Sequence, residues 1–166
     1  LAGLTKLYER LHLKVNEVKT AVAPATGRKF LGYELWCSAG DRIKCAVARK
    51  ALATFKQRVR QFTRRSGGRN LSEIAERLRA YMPGWKAYFQ LAQTPKVFRE
   101  LDEWIRHRLR AVQLKHWRRG TTIYRELKAM GASDEDARKV AANSRCWWRN
   151  SRMRLNRALP IAYFDR

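Results

Sequence analysis

The chain has 166 residues, enough for one domain or two small ones. At 45% hydrophobic it can bury a core, which excludes a disordered polycation. Its net charge of +23 and pI near 11 go far beyond the roughly 2 to 8 charges that solubility asks of a small domain. A field of that size attracts polyanions, nucleic acid first and an acidic membrane surface second. Aromatic residues interleaved with arginines, without a lipid-facing stripe, favour nucleic acid.

Leu1 to Leu11 has apolar residues at helical spacing (Leu4, Leu7, Tyr8, Leu11) and predicts a short amphipathic helix. Leu13 to Val15 and Lys19 to Ala23 read as short strands. Phe30 to Cys37 and Ile43 to Val47 read as a hairpin across the turn "SAGD". The next element is stronger: Ala48, Ala51, Leu52, Phe55, Val59 and Phe62 make one apolar helix face. From Arg42 to Arg69 there are ten Lys/Arg and no Asp or Glu. A solvated helix normally mixes signs, so an all-positive one points to an anion alongside it.

"SGGRN" breaks that helix, and Asn70 with Glu73 has the form of a capping box for the next one. Leu71, Ile74, Leu78, Tyr81, Trp85 and Phe89 follow one face, with Pro83-Gly84 expected to kink or split the helix near Met82. Thr94-Pro95 then reads as an N-cap and first helical position. The stripe Phe98, Leu101, Ile105, Leu109, Val112 and His116 follows, with Gly120 as the stop. Three long amphipathic helices with short loops predict a three-helix bundle. Ile123 to Met130 and a helix from Ser133, capped with Asp136, to about Trp148 form a helix–turn–helix shape. Pro160 opens a last short helix, or the tail is mobile when unbound.

No catalytic constellation is visible. His12, His107 and His116 stand apart, without a Cys or carboxylate at metal-ligand spacing. "GRK" at Gly27 to Lys29 lacks the rest of a Walker spacing. The 14 acidic residues are scattered, and their tightest groups, Asp102-Glu103 and Asp134 to Asp136, sit near helix N-termini where the macrodipole explains them. Two-metal phosphoryl transfer needs clustered carboxylates, so no cofactor is expected in this chain. Cys37, Cys45 and Cys146 are odd in number and fit no zinc pattern. They read as reduced thiols, as in the cytoplasm. No signal peptide and no apolar run of about 18 residues is present, so no membrane span is expected. The start at Leu1 rather than Met suggests a piece of a longer protein.

The informative residues are basic and aromatic. Trp85 and Trp104 read first as core; of the adjacent Trp147 and Trp148, one can pack and the other pack elsewhere or stack on a base.

"LHLKVNEVKTAV…RKFLGYELW" resembles the last palm segments of bacterial group II intron reverse transcriptases, where an N-x-x-K-T element and an F-L-G-[FY] hairpin follow a Y-A-D-D strand. "LRAYMPGWKAYFQLAQTPKVFRELDEWIRHRLRAVQLKHWRR" is similar to the group II intron maturase-specific domain, with its G-W-x-x-Y-F and L-D-x-W-[IV]-R elements. The following residues resemble the tail of such intron-encoded proteins. The resemblance implies a mainly α chain in three parts. Residues 1–46 would be a palm remnant with a primer-grip-like hairpin, 47–120 a three-helix thumb (domain X), and 121–166 a basic helical extension.

The Y-A-D-D aspartates are missing, so polymerase activity and its Mg²⁺ would belong to the parent polypeptide. The implied partners are structured intron RNA and an RNA–DNA or RNA template–primer duplex, with target DNA as a further candidate, in the bacterial cytoplasm. Lys19 would lie close to primer or template phosphates, and Gly32 would let the hairpin backbone approach a strand. The helix from Ala48 to Arg65 would follow the duplex minor groove. The candidate contacts are Arg49, Lys50, Lys56, Arg58, Arg64, Arg65, Arg69, Lys86, Arg118, Arg119, Arg149 and Arg152. The N-terminal part, without its sheet partners, would pack loosely or self-associate through exposed edges.

Two other classes compete. A helix–turn–helix DNA-binding protein built on Ile123 to Trp148 would have to bring the acidic turn Asp134 to Asp136 to phosphates, which repels them. An enzyme in its own right lacks its carboxylate cluster.

Overall fold

The computed structural model describes residues 2–14, 16, 23–40, 42–152, 155 and 157–164. It is mainly helical with one small antiparallel sheet. The N-terminal helix α1 (Ala2–Arg10) leaves Leu4, Leu7, Tyr8 and Leu11 exposed. Leu13 and Lys14 are not strand, and Lys19 with most of the second expected strand lies outside the described residues. The sheet has the order β1 (Lys29–Phe30), β2 (Tyr33–Ser38), β3 (Arg42–Val47). Leu35 pairs with Cys45 and Cys37 with Ile43, so the two cysteines are not opposite one another, and all three cysteines are free.

The helices α2 (Arg49–Phe62), α3 (Leu71–Tyr88) and α4 (Pro95–Trp117) form the expected bundle. α2 ends at Phe62, short of the expected Arg65. Thr63, fully buried, turns its hydroxyl back to donate to the Val59 carbonyl at 2.7 Å, which closes the helix and throws Arg64 and Arg65 into a loop. Asn70 caps α3 as expected, accepting from the Glu73 N–H at 2.8 Å. Pro83 does not split α3. Proline forfeits one i→i−4 bond, but packing holds both halves of the helix: Phe55 meets Tyr81 and Trp85 at ring centroid distances of 5.7 and 4.2 Å, and Trp85 meets Phe89 at 4.7 Å.

Thr94 occupies the N-cap position of α4 without making a cap bond, and its hydroxyl oxygen is buried without a partner among the described residues. His116 is exposed rather than on the core stripe. α4 turns aside at Arg118 (φ +56), and Gly120, expected as its stop, instead opens α5 (Gly120–Ala129). A Cβ on Gly120 would lie 2.7 Å from the Ala141 carbonyl oxygen, so only glycine lets α5 cross the helix that carries Ala141 this closely. That helix is α6 (Asp134–Ala142), capped by Ser133, whose side chain accepts from the Asp136 N–H. It stops at Ala142, well before the expected Trp148, and a short α7 (Trp147–Asn150) follows. Pro160 does open a last helix, α8 (Ile161–Phe164).

One apolar core runs from Phe55, Val59, Ile74 and Leu78 through Leu101 to Leu114 and on to Ile123, Leu127, Val140, Leu155, Leu159 and Phe164. The C-terminal segment therefore shares the core of the bundle. It also covers the polar side of α4: Arg110 donates from Nε to the Leu159 carbonyl at 3.2 Å, and Arg79 on α3 donates to the Phe164 carbonyl at 3.3 Å. The sheet docks on the C-terminal end of α3. Tyr33 donates its hydroxyl to the Tyr88 carbonyl, Tyr88 donates to the Leu31 carbonyl at 2.9 Å, and Gln93 N–H donates to the Cys45 carbonyl at 2.7 Å.

Candidate nucleic-acid interface

The expected basic residues do not form one surface. Arg49 is exposed at the start of α2, and Lys50 lines a shallow cleft together with Lys29 and Gly32. Gly32 has φ +81, and a Cβ there would meet the Phe89 ring at 3.2–3.3 Å. Its glycine is thus explained by backbone conformation and by the fit of the sheet on α3. Lys86 lies beside an apolar groove with Pro83 and Phe98. Arg58 donates to Gln61 at 3.2 Å and lies over the Phe62 ring. Arg69 donates to the Gln61 carbonyl at 3.2 Å. Arg118 and Arg119 are exposed at the α4–α5 turn, and Arg152 is exposed after α7.

Arg64, Arg65 and Arg149 do come together. They line an open cleft of about 800 Å³ with Arg60, Arg108, Lys115 and Arg145, joined by Ser66, Cys146, Trp147 and Trp148. Three stretches far apart in sequence build it: the end of α2 with the loop after Thr63, the solvent-facing side of α4, and residues 145–149. Seven side chains of its lining are cationic and none is acidic. Among the described residues, none of the seven has a carboxylate partner; the ion pairs lie elsewhere, as in Arg106–Asp102, Arg138–Asp134 and Lys139–Glu135.

Like charges this close repel, so something must hold them. Indole rings do part of this, since a ring face attracts a cation within about 6 Å. Trp104 has Arg108 at 5.2 Å, Arg60 at 5.5 Å and Lys56 at 6.0 Å from its ring centroid. Trp147 has Lys115 at 5.5 Å and Arg65 at 5.9 Å. Hydrogen bonds do the rest. Arg108 donates from Nε to Thr63 Oγ1 at 2.6 Å and from its terminal nitrogen to the Thr63 carbonyl at 3.4 Å. Lys115 donates to the Arg65 carbonyl, and Arg64 to Ser66 Oγ at 3.1 Å.

On the far wall, His107 Nε2–H donates to the Trp148 carbonyl at 2.9 Å. Asn150, 1% exposed, donates to the carbonyls of Val140 (3.2 Å) and Asn143 (2.8 Å). Hydrogen bonds within the protein thus tie both walls to the core. The strain shows in Arg108, whose pKa is pushed down to about 10, first by burial and then by Arg60 and Arg65. It stays charged at neutral pH, and an anion in the cleft would relieve that repulsion.

Trp104, Arg108 and Lys115 share one face of α4, at i, i+4 and i+11, and Arg60 precedes Arg64 by four. The sequence carried that spacing, but the apolar stripe on the same helix masked it. Arg145 and Trp147 had no local signal that pointed to this cleft.

The family model "Group II intron, maturase-specific domain" matches residues 52–131. The match covers just under half of the chain, and that stretch is similar to the maturase-specific domain. The matched stretch runs from within α2 to just past α5 and takes in the Arg60, Arg64, Arg65, Arg108 and Lys115 side of the cleft, while the wall at 145–149 lies beyond it. No curated protein matches the chain. Among the described residues no group of three His, Cys, Asp or Glu side chains converges as metal ligands, and no helix is long and apolar enough to cross a membrane.

Proposed function

We propose that this chain is the RNA-binding thumb/maturase part of a group II intron reverse transcriptase, gripping intron RNA for splicing and a template–primer duplex during RNA-directed DNA synthesis by a parent polypeptide. One observation carries the RNA-binding part of the reading: a cleft lined by seven cations and no acidic side chain, five of the seven inside the stretch that matches the maturase-specific domain. Guanidinium groups match phosphate oxygens bidentately, and pre-set side chains lose less entropy on binding.

Among the described residues no group of carboxylates converges that would hold Mg²⁺, and the proposal assigns polymerase chemistry to a palm in the parent polypeptide. Target DNA and self-association through the exposed face of α1 belong to the same proposal. The helix–turn–helix alternative is weakened by α6, whose first turn carries Asp134, Glu135 and Asp136 where phosphates would approach.

Competitive binding over a salt series tests the proposal, with group II intron RNA, an RNA–DNA heteroduplex and a DNA duplex of equal length as ligands. All should show steep salt slopes, since each neutralised phosphate contributes about −0.9 on B-DNA. Intron RNA or heteroduplex should win by at least about tenfold, roughly 1.4 kcal/mol. Equal or tighter binding to the DNA duplex would refute the proposal.

A further inference from the structure

A duplex is a rod that lies along a surface, and the cations of α2 such as Arg49 and Lys56 suit it. The cleft between the Thr63 loop, α4 and α7 has another shape. At about 800 Å³ it falls within the roughly 300–1,000 Å³ of pockets that engulf one small ligand. A hollow of that size has room for a short stretch of strand between its walls.

Its lining combines the two components that bind unpaired strands: cations for the backbone and aromatic rings beside them for bases. Arg64, Arg65, Arg145 and Arg149 supply exposed guanidinium groups around Trp147 and Trp148. Arg108 sits inward between Trp104 and Thr63, with donors left after its two bonds to Thr63.

We infer that this cleft is a site for an unpaired segment of RNA, one or a few nucleotides from a loop or bulge, with its phosphates on Arg64, Arg65, Arg108, Arg145 and Arg149. The inference rests on the RNA-binding reading above and narrows it: paired RNA lies elsewhere on the chain, and the cleft selects strand that has left the helix.

The test compares two RNA probes on the full chain: a single-stranded oligouridylate of about eight nucleotides and a blunt RNA duplex of about 16 base pairs. The variant Arg145→Gln/Arg149→Gln changes two exposed residues, and Lys6→Gln/Arg10→Gln on α1 removes the same charge outside the cleft. The cleft variant should lose about tenfold in affinity for the single strand, as expected for a lost charged contact, and keep its affinity for the duplex within about twofold. The α1 variant should leave the ratio of the two affinities unchanged. Parallel losses on both probes, or a single-strand loss no larger than in the α1 variant, would overturn the inference. It would fall alone if RNA were still preferred over duplex DNA, whereas loss of that preference would remove the RNA reading itself.

Discussion

Thr63→Val tests whether the cleft is assembled from within. Thr63 is fully buried, donates to the Val59 carbonyl and accepts from Arg108 Nε at 2.6 Å. Valine fills nearly the same space but leaves Arg108 Nε without its acceptor, keeping only the 3.4 Å bond to the backbone carbonyl of residue 63. A hydrogen bond to a charged group is worth about 1.5–3 kcal/mol, so the variant should lose about 2 kcal/mol of stability. For a domain of this size that is a fall in Tm of about 4–8 °C.

Thr63→Ser is the control, because it keeps the hydroxyl and loses one methyl, about 1 kcal/mol. RNA affinity should separate the two variants more sharply than stability does. Freeing Arg108 restores rotamer entropy that binding must remove again, about 0.5–1.5 kcal/mol, so Thr63→Val should bind RNA roughly two- to tenfold more weakly. Thr63→Ser should bind like the unaltered chain. Thermal denaturation and a filter-binding titration read both quantities. An unchanged Tm in Thr63→Val, or equal loss of RNA affinity in the two variants, would refute the reasoning.

Gly32→Ala should lower stability by about 1–3 kcal/mol, since it strains a positive φ and pushes into the Phe89 ring, and near-ultraviolet circular dichroism should report the disturbed aromatic cluster. Asn150→Ala leaves the carbonyls of Val140 and Asn143 without their donor, so it should cost about 1–3 kcal/mol in a denaturant titration and weaken RNA binding by loosening the Trp147–Arg149 wall. His107 is held below the ordinary histidine range, first by burial, with its cationic neighbours Arg152, Arg110 and Arg108 adding to it. The folded form keeps it neutral while the unfolded chain takes up a proton, so stability is present above the unfolded pKa of about 6.5 and is lost as pH falls through the lower folded value. Tm measured from pH 7.5 downward should decline through that window, and His107→Gln should flatten the decline.

Local order in this protein was legible where the chain speaks for itself. The apolar faces of α2 and α3, the caps at Asn70 and Ser133, and the hairpin of β2 and β3 all follow from spacing and turn chemistry. Features set by tertiary contacts were not legible. A stripe on α4 suggested one buried face, yet Arg110, Ala111 and Gln113 are buried as well, because residues 155–164 return to cover them. Nothing near Thr63 announces that its hydroxyl would close α2 and seat an arginine 45 residues away. Nor does any spacing announce that Gly120, a good stop by composition, would serve as a crossing point for α6. The same holds for the candidate site: Arg64, Arg65 and Arg149 could be named from charge alone, but the partners that make them a cleft lie on α4 and at 145–147 and are joined to them only by folding.

The central claim is that the cationic cleft faces RNA, and Cys146, exposed within its lining, can report on it directly. In a chain carrying Cys37→Ser and Cys45→Ser, the rate at which a small thiol reagent alkylates Cys146 is measured with and without saturating group II intron RNA. Bound strand should slow the reaction by about tenfold or more, since the segment that fills the cleft excludes the reagent. An unchanged rate with the RNA demonstrably bound would place the RNA elsewhere on the chain and contradict the account.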